Sequence, residues 1–339
     1  MLDTTIAGSL PKPAWLAEPE KLWAAWRLSG SELEQGKQRA ARFWMEQQER
    51  AGIDVLTDGE QFRSHFVHGF LESLSGIDWN KKTRMGIRND RYFVDVPTVT
   101  GPVRRTRSVH ADEVRFTRSA TGKKLKFTLP GPMTICDTIA DGHYGRRSDL
   151  AMAFADVLNE EAKELEALGV DTIQLDEPAF NVFLDDVKEW GIDALHRSTA
   201  GLTCTTAVHI CYGYGIDANI QWKKTLGSEW RQYEEIFPAL NASRIHQVSL
   251  EAANSRVPLS LLRLLGDKQL MVGVIDVAST EVESPEQVAA RIESALEHVS
   301  AERLLPCTNC GLAPLAEHVA VGKLGALGAG AALVRQRLR

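Results

Sequence analysis

The stretch LAMAFADVLNEEAKELEALGVDTIQLDEPA, residues 150–179, decides how the chain reads. Its first part, 150–169, carries apolar side chains at i, i+3 and i+4 and stops at Gly169. That is the pattern of an amphipathic helix closed by a glycine. DTIQLDEPA (171–179) then forms a short β-type run ending in a polar cluster. A helix leading into a strand with acids at its far end is the repeating unit of an α/β protein.

The same unit recurs on both sides. Further β-type runs are TTIAGSLP (4–11), IDVLTDGE (53–60), LKFTLPGP (125–132), TAVHICYG (206–213), IHQVSLEA (245–252), LMVGVIDV (270–277) and RLLPCTNCG (303–311). With 171–179 they make eight, and the segments between them are mostly helical in pattern. In SPEQVAARIESALEHV (284–299), Ser284 is placed as an N-cap and Pro285 at the first helical position. Eight strands alternating with helices predict a parallel sheet, and eight such units, joined by right-handed crossovers, are expected to close into a (β/α)₈ TIM barrel. One segment breaks the pattern. RYFVDVPTVTGPVRRTRSVHADEVRFTR (91–118) is rich in β-branched residues without a helical period. It is expected to be an antiparallel hairpin inserted after the second β/α unit. No linker-like stretch divides the chain, so residues 1–339 are expected to form a single domain.

Composition narrows the function. A chain of 339 residues can bury a large core without disulfides, and α/β barrels routinely exceed 250 residues. The net charge of −6 comes without blocks of like charge, which argues against a nucleic-acid or anionic-membrane partner. Arg104, Arg105 and Arg107 are soon followed by Asp112 and Glu113, and read as a solvated hairpin face. No apolar run reaches the ~18 residues of a membrane span. The opening MLDTTIAGSLPKP lacks a basic region followed by an apolar stretch, so no secretory signal is expected. Five scattered cysteines, an odd number, favour thiols or metal ligands over a disulfide framework, and place the chain in a reducing cytoplasm.

In such a barrel, chemistry sits at the C-terminal ends of the strands. Ser9, Glu60, Asp176, His209, Cys211, Glu251, Asp276 and Cys310 all fall at those ends and are expected to converge on one mouth. His209 and Cys211 lie at i, i+2, on one face of a strand. Glu251 ends the next strand and Cys310 the last. Imidazole, thiolate and carboxylate are the ligands of tetrahedral Zn²⁺. Blander readings coexist. H-x-C on a strand is also the pattern of a buried histidine beside a buried cysteine, and Glu251 alone is also a barrel-mouth acid. The C-x-x-C at 307–310 is also a redox or zinc-ribbon pattern, although a ribbon needs a second such pair. A thioredoxin-like pair belongs at a helix N-terminus in a much smaller fold. The residues alone leave Cys307 and Cys310 both open as ligands.

Taken together, TTIAGSLP, VLTDGE, LPGPMTI, IQLDEPA, HICYG, VSLEAANS, GVIDV and TNCGL resemble the catalytic barrel of cobalamin-independent methionine synthases. Each motif is short, but their order and spacing match from about residue 4 to the last helix. The resemblance implies a (β/α)₈ catalytic barrel and a Zn²⁺ that binds the homocysteine thiol. It implies metal ligands at His209, Cys211, Glu251 and Cys310, and so leaves Cys307 a structural or supporting thiol. It places Ala7, Gly8 and Ser9, with Glu60 and Asp176, around homocysteine. Carboxylates suit the ammonium of an amino acid, and the Ser9 hydroxyl with nearby N–H groups suits its carboxylate.

Three departures bear on the methyl donor. The family's long members carry a second, N-terminal barrel that this chain is expected to lack. Their aromatic folate platform follows a G-P-x-T-I element, where this chain reads CDTIADG (136–142) without tryptophan. Their acid histidine follows a Y-D-I element, where GVIDVAS places Ala278. The chain therefore resembles the short, folate-independent members. The expected reaction is methylation of homocysteine by a donor other than methyl-tetrahydrofolate, delivered by a corrinoid or another carrier protein. The alternatives are alkyl transfer to another thiol of the coenzyme M kind, or folate-dependent synthesis with a replaced acid.

Overall fold

The computed structural model describes residues 1–21 and 23–339. In chain order its strands are β1 Val55–Leu56, β2 Leu74–Ile87, β3 Tyr92–Arg105, β4 Lys124–Pro130, β5 Ala140–Asp141, β6 Thr172–Asp176, β7 Thr205–Ile210, β8 Gln247–Leu250, β9 Gln269–Ile275 and β10 Leu304–Thr308. Seven of them form one sheet in the order β1-β4-β6-β7-β8-β9-β10, with every neighbouring pair parallel. The sheet is curled, and the fold is α/β and TIM-barrel-like.

The run at 4–11 is not a regular strand. Its backbone nonetheless joins both edges of the sheet. The Thr4 carbonyl accepts from Asp54 and Val55 beside β1, while Thr5 N–H donates 3.2 Å to Pro306 O on β10. The ladder is irregular because side chains replace parts of it. Thr4 N–H donates to Asp54 Oδ2 (2.8 Å), and Ala7 N–H to Thr308 Oγ1 (2.9 Å).

Helices cover the outer face. The helix Arg147–Ala167 buries Leu150, Phe154, Leu158 and Leu165, and Gly169 follows it at φ +95°, where glycine carries no Cβ penalty. Burial of each such side chain contributes about 1.5–3 kcal/mol. At Pro285–Leu296, Ser284 Oγ accepts from Gln287 N–H and the Gln287 side chain accepts from Ser284 N–H, a reciprocal capping box. On β6, Ile173 and Leu175 join the main apolar core, while the alternate residues Gln174 and Asp176 face the other way. Ala207, Met271, Leu305 and Cys307 form a small separate apolar cluster. Ala207 lies two residues before His209 on β7 and shares its face, so this cluster underlies the polar end of the strands.

The excursion between β1 and β4 differs from the expected hairpin at 91–118. β3 supplies its second strand, but the partner is the upstream β2, paired antiparallel from Leu74↔Arg105 to Ile87↔Tyr92. Residues Ala111–Ala120 are a helix. Asp112 and Glu113 lie in its first turn and Arg118 in its last, which suits the helix dipole, and Ala111, Val114 and Thr117 are buried at helical spacing. β2 is mostly solvent-facing and carries little apolar alternation, so it gave no strand signal. The turn at Arg88, Asn89 and Asp90 holds three successive residues at positive φ (53°, 57° and 60°). β5 adds to β3 to complete a three-stranded sheet.

Candidate active site

A cavity opens at the C-terminal ends of the parallel strands. Ser9, Glu60, Asp176, His209, Cys211 and Cys310 all line it. Glu251 and Asp276 do not. Asp276 is engaged by Asn254 Nδ2 (3.0 Å) and by Ala278 N–H (2.8 Å).

β7 ends at Ile210 and delivers His209 and Cys211 to the same side; the segment after β10 delivers Cys310. One ligand atom from each of these three residues lies within 4.8 Å of the others. The Cys211 and Cys310 sulfurs are 3.3 Å apart. Their contact has a clear electrostatic sense. The bond from Cys310 pushes the Cys211 thiol well below its usual range, aided against burial by His209, while Cys310 is pushed well above it by Cys211. His209 Nδ1 is held by Ser249 Oγ at 2.8 Å. Its Nε2 is buried and has no hydrogen-bond partner. A buried nitrogen without a partner is costly, and beside two thiols it has the form of a ligand position. The donor set therefore fits a thiophilic divalent ion such as zinc.

Glu251 stands next to this group but not in it. Tyr212 N–H donates to Oε2 (3.1 Å), the Tyr214 hydroxyl donates to Oε1, and Lys223 Nζ lies 3.4 Å from Oε1. Burial pushes the Glu251 carboxyl up, against the pull of Lys223 and Tyr214. Cys307 is buried in the apolar cluster beneath, outside the three-residue group.

The second half of the cavity is a polar cradle. Glu60 adopts φ +58° and accepts from Thr128 Oγ1 (3.0 Å) through Oε1. Asp176 Oδ1 accepts from Gln174 Nε2 (2.7 Å). Burial raises the Asp176 carboxyl to about 7, with His209 opposing and Glu60 adding to the shift. Ser9 reaches the cavity beside Cys310 because residue 311 is glycine: a Cβ there would stand 1.9 Å from Ser9 Oγ.

Several lining residues carried no sequence signal. Arg88 and Arg91 enter from the β2–β3 turn, Lys12 from the N-terminal segment and Trp222 from the helix Asp217–Thr225. Arg88 pairs with Asp137, and the Arg91 guanidinium lies 3.2 Å from the centroid of Trp222. Their only visible mark in the sequence is the NDR turn after a polar strand, which resembles any surface hairpin.

Residues 2–332 match the family described as cobalamin-independent synthase, catalytic domain. The chain belongs to this family. It is an enzyme, a methyltransferase of the methionine-synthase type. Among curated relatives, a methionine synthase of Sulfolobus acidocaldarius is 33% identical over 341 residues, covering 100% of this chain and 94% of that protein. Among solved structures, a B12-independent methionine synthase from Shewanella sp. W3-18-1 in complex with selenomethionine is 57% identical, with TM-score 0.97 over 100% of this chain and 99% of that one. A putative vitamin-B12 independent methionine synthase from Listeria monocytogenes, 20% identical with TM-score 0.72 over 98% and 97% of the two chains, shares the fold. Among the described residues no helix is long and apolar enough to cross a membrane.

Proposed function

We propose that this chain methylates homocysteine to methionine with one Zn²⁺, using a donor other than methyl-tetrahydrofolate. The observation that carries the reading is the convergence of His209, Cys211 and Cys310 beside an acidic cradle. We read residues 1–339 as one domain and the 4–11 segment as the eighth stave of a (β/α)₈ barrel.

His209, Cys211 and Cys310 would hold the metal, with Glu251 as the fourth ligand from its place beside the thiols. Bound zinc lowers the pKa of a coordinated thiol, ordinarily near ~8.5, and keeps it nucleophilic at neutral pH. The chain's own residues do the rest. Ser249 fixes the His209 ring so that Nε2 faces the thiols. Glu60 and Asp176 take the substrate ammonium, Ser9 takes its carboxylate, and the sulfur is left pointing at the cysteines. Holding the thiol against an incoming methyl group is worth several kcal/mol of barrier on the scale of oriented reactants.

The donor reading rests on the missing acid histidine at position 278. A folate donor leaves as a poor amine and needs a proton. Ala278 offers no side-chain proton, and burial with His68 pushes His65, the other histidine lining the cavity, down to about 3, so its ring is neutral. Residue 137 is an aspartate paired with Arg88, and no tryptophan follows GPMTI. A methylcorrinoid or another carrier with a better leaving group suits such a site. Growth of a methionine auxotroph expressing this chain, with and without candidate donor systems, tests the reading. Rescue that depends on Cys211 and on a non-folate donor supports it, and rescue by a Cys211→Ser variant contradicts it.

A further inference from the structure

The inner face of the sheet holds a buried ammonium beneath the cradle. Lys126, on β4, is 1% exposed, yet it forms no ion pair among the described residues. Its Nζ donates to Gln174 Oε1 (2.7 Å) and to the Ile6 carbonyl, and lies 3.8 Å from Met271 Sδ. Gln174, 0% exposed on β6, turns its other end outward along the strand. Nε2 donates to Asp176 Oδ1 (2.7 Å) and to Ala7 O (2.6 Å).

The chemistry of these groups fixes a direction. An amide side chain has a donor end and an acceptor end of nearly the same shape. An ammonium only donates, so Lys126 requires the oxygen of Gln174. The amide NH₂ is thereby aimed at Asp176 and at the carbonyl of Ala7, the residue that opens Ala7-Gly8-Ser9. A single buried cation thus orders Ile6 directly, and Ala7 and Asp176 through one amide. With Oδ1 occupied by Gln174, Oδ2 of Asp176 is the atom left for a ligand.

We infer that Lys126 is a positioning residue for the amino-acid substrate, acting through Gln174 on Asp176 and the 6–9 segment. The inference rests on the reading of Asp176 and Ser9 as the amino-acid cradle. Lys126 touches neither the reacting sulfur nor the three clustered ligand residues. Burial lowers the Lys126 pKa, and its protonated form is held by the Gln174 amide oxygen and the Ile6 carbonyl.

The test compares two thiols binding to the full-length, zinc-loaded chain by titration calorimetry: L-homocysteine and 4-sulfanylbutanoate, which lacks the amino group. Lys126→Met removes the ammonium, and the loss of a buried charge favours folding of the variant. Lys126→Gln provides a second, polar replacement whose own amide is free to present either end. In both, homocysteine affinity is expected to fall about tenfold, the order of one charge-assisted contact, while 4-sulfanylbutanoate affinity and zinc content stay unchanged. Equal weakening of both thiols would make Lys126 merely structural and overturn the inference. So would unchanged homocysteine affinity in the Lys126 variants when Asp176→Asn is impaired. Unchanged affinity in Asp176→Asn itself would overturn the cradle, and the role of Lys126 with it.

Discussion

Cys211 Sγ lies 3.3 Å from Cys310 Sγ, although 99 positions separate the two residues. The gap is far longer than the ~2.05 Å of a disulfide and too short for two ionised thiols without a cation between them. Strand β7 and the segment after β10 meet here only because the sheet curls, and His209 Nε2 faces the same point without a partner. The pair is the structural core of the proposed metal site.

Zinc content should follow this pair. Purified protein is expected to hold close to one zinc per chain, and Cys211→Ser and Cys310→Ser to lose most of it. Cys307→Ser should keep it, because Cys307 packs with Ala207, Met271 and Leu305 below the site. Elemental analysis of the three variants decides, and full zinc in both ligand variants would remove the assignment.

Asp176 should contribute to substrate binding through its charge. Asp176→Asn is expected to weaken homocysteine binding by about 1.5–3 kcal/mol, roughly tenfold or more. Calorimetric titration of wild type and variant measures it, and equal affinities would take Asp176 out of the site.

The raised Asp176 carboxyl gives a pH test with L-methionine, which carries no thiol to titrate. Burial holds the group near 7, so the carboxylate that meets the ammonium is lost as pH falls through that value. Methionine affinity of metal-free protein is expected to drop between about pH 8 and pH 6 and to flatten in Asp176→Asn. A slope that is the same in both proteins would assign the titration to another group.

The same shift makes a prediction about stability. The folded value lies above the ordinary aspartate value of 3.8, so the folded state binds the proton more tightly than the unfolded state. The stability this provides is complete below the unfolded value and is lost as pH rises through about 7. Metal-free Asp176→Asn should therefore gain on wild type in thermal melts as pH rises from about 4 to 7, with no further gain above. A constant difference across that range would contradict the burial of this carboxyl.

Much of this arrangement was legible in the sequence because it repeats with a period. Alternating strand and helix signals marked the parallel sheet: β6, β8 and β10 lie within the runs expected of them, and β4, β7 and β9 each begin one residue earlier. The residues at strand ends were legible for the same reason, since Ser9, Glu60, Asp176, His209, Cys211 and Cys310 are brought to one cavity. What was not legible is what depends on long-range partners. β2 carries no apolar face of its own, so the hairpin was shifted and the helix at Ala111–Ala120 was read as strand. The hold of Tyr214 and Lys223 on Glu251 comes from a loop and a helix that no periodicity links to strand β8. Arg88 and Arg91 reach the cavity only through a turn at positive φ, whose direction no local pattern encodes.

The donor should be something other than methyl-tetrahydrofolate. A placed acid is worth about 10²–10⁴-fold in rate, and Ala278 stands where the family's acid histidine is expected. Zinc-loaded protein with homocysteine is expected to turn over methylcobalamin at least ~100-fold faster than methyl-tetrahydrofolate. Fast turnover with the folate alone would mean that another residue takes the place of the histidine absent at Ala278.

The central claim is that the substrate sulfur joins His209, Cys211 and Cys310 on the metal. Zinc-edge X-ray absorption of the loaded protein, before and after addition of L-homocysteine, tests it most directly. The account predicts one additional sulfur in the zinc shell with homocysteine and none with L-serine. An unchanged shell at saturating homocysteine would contradict it.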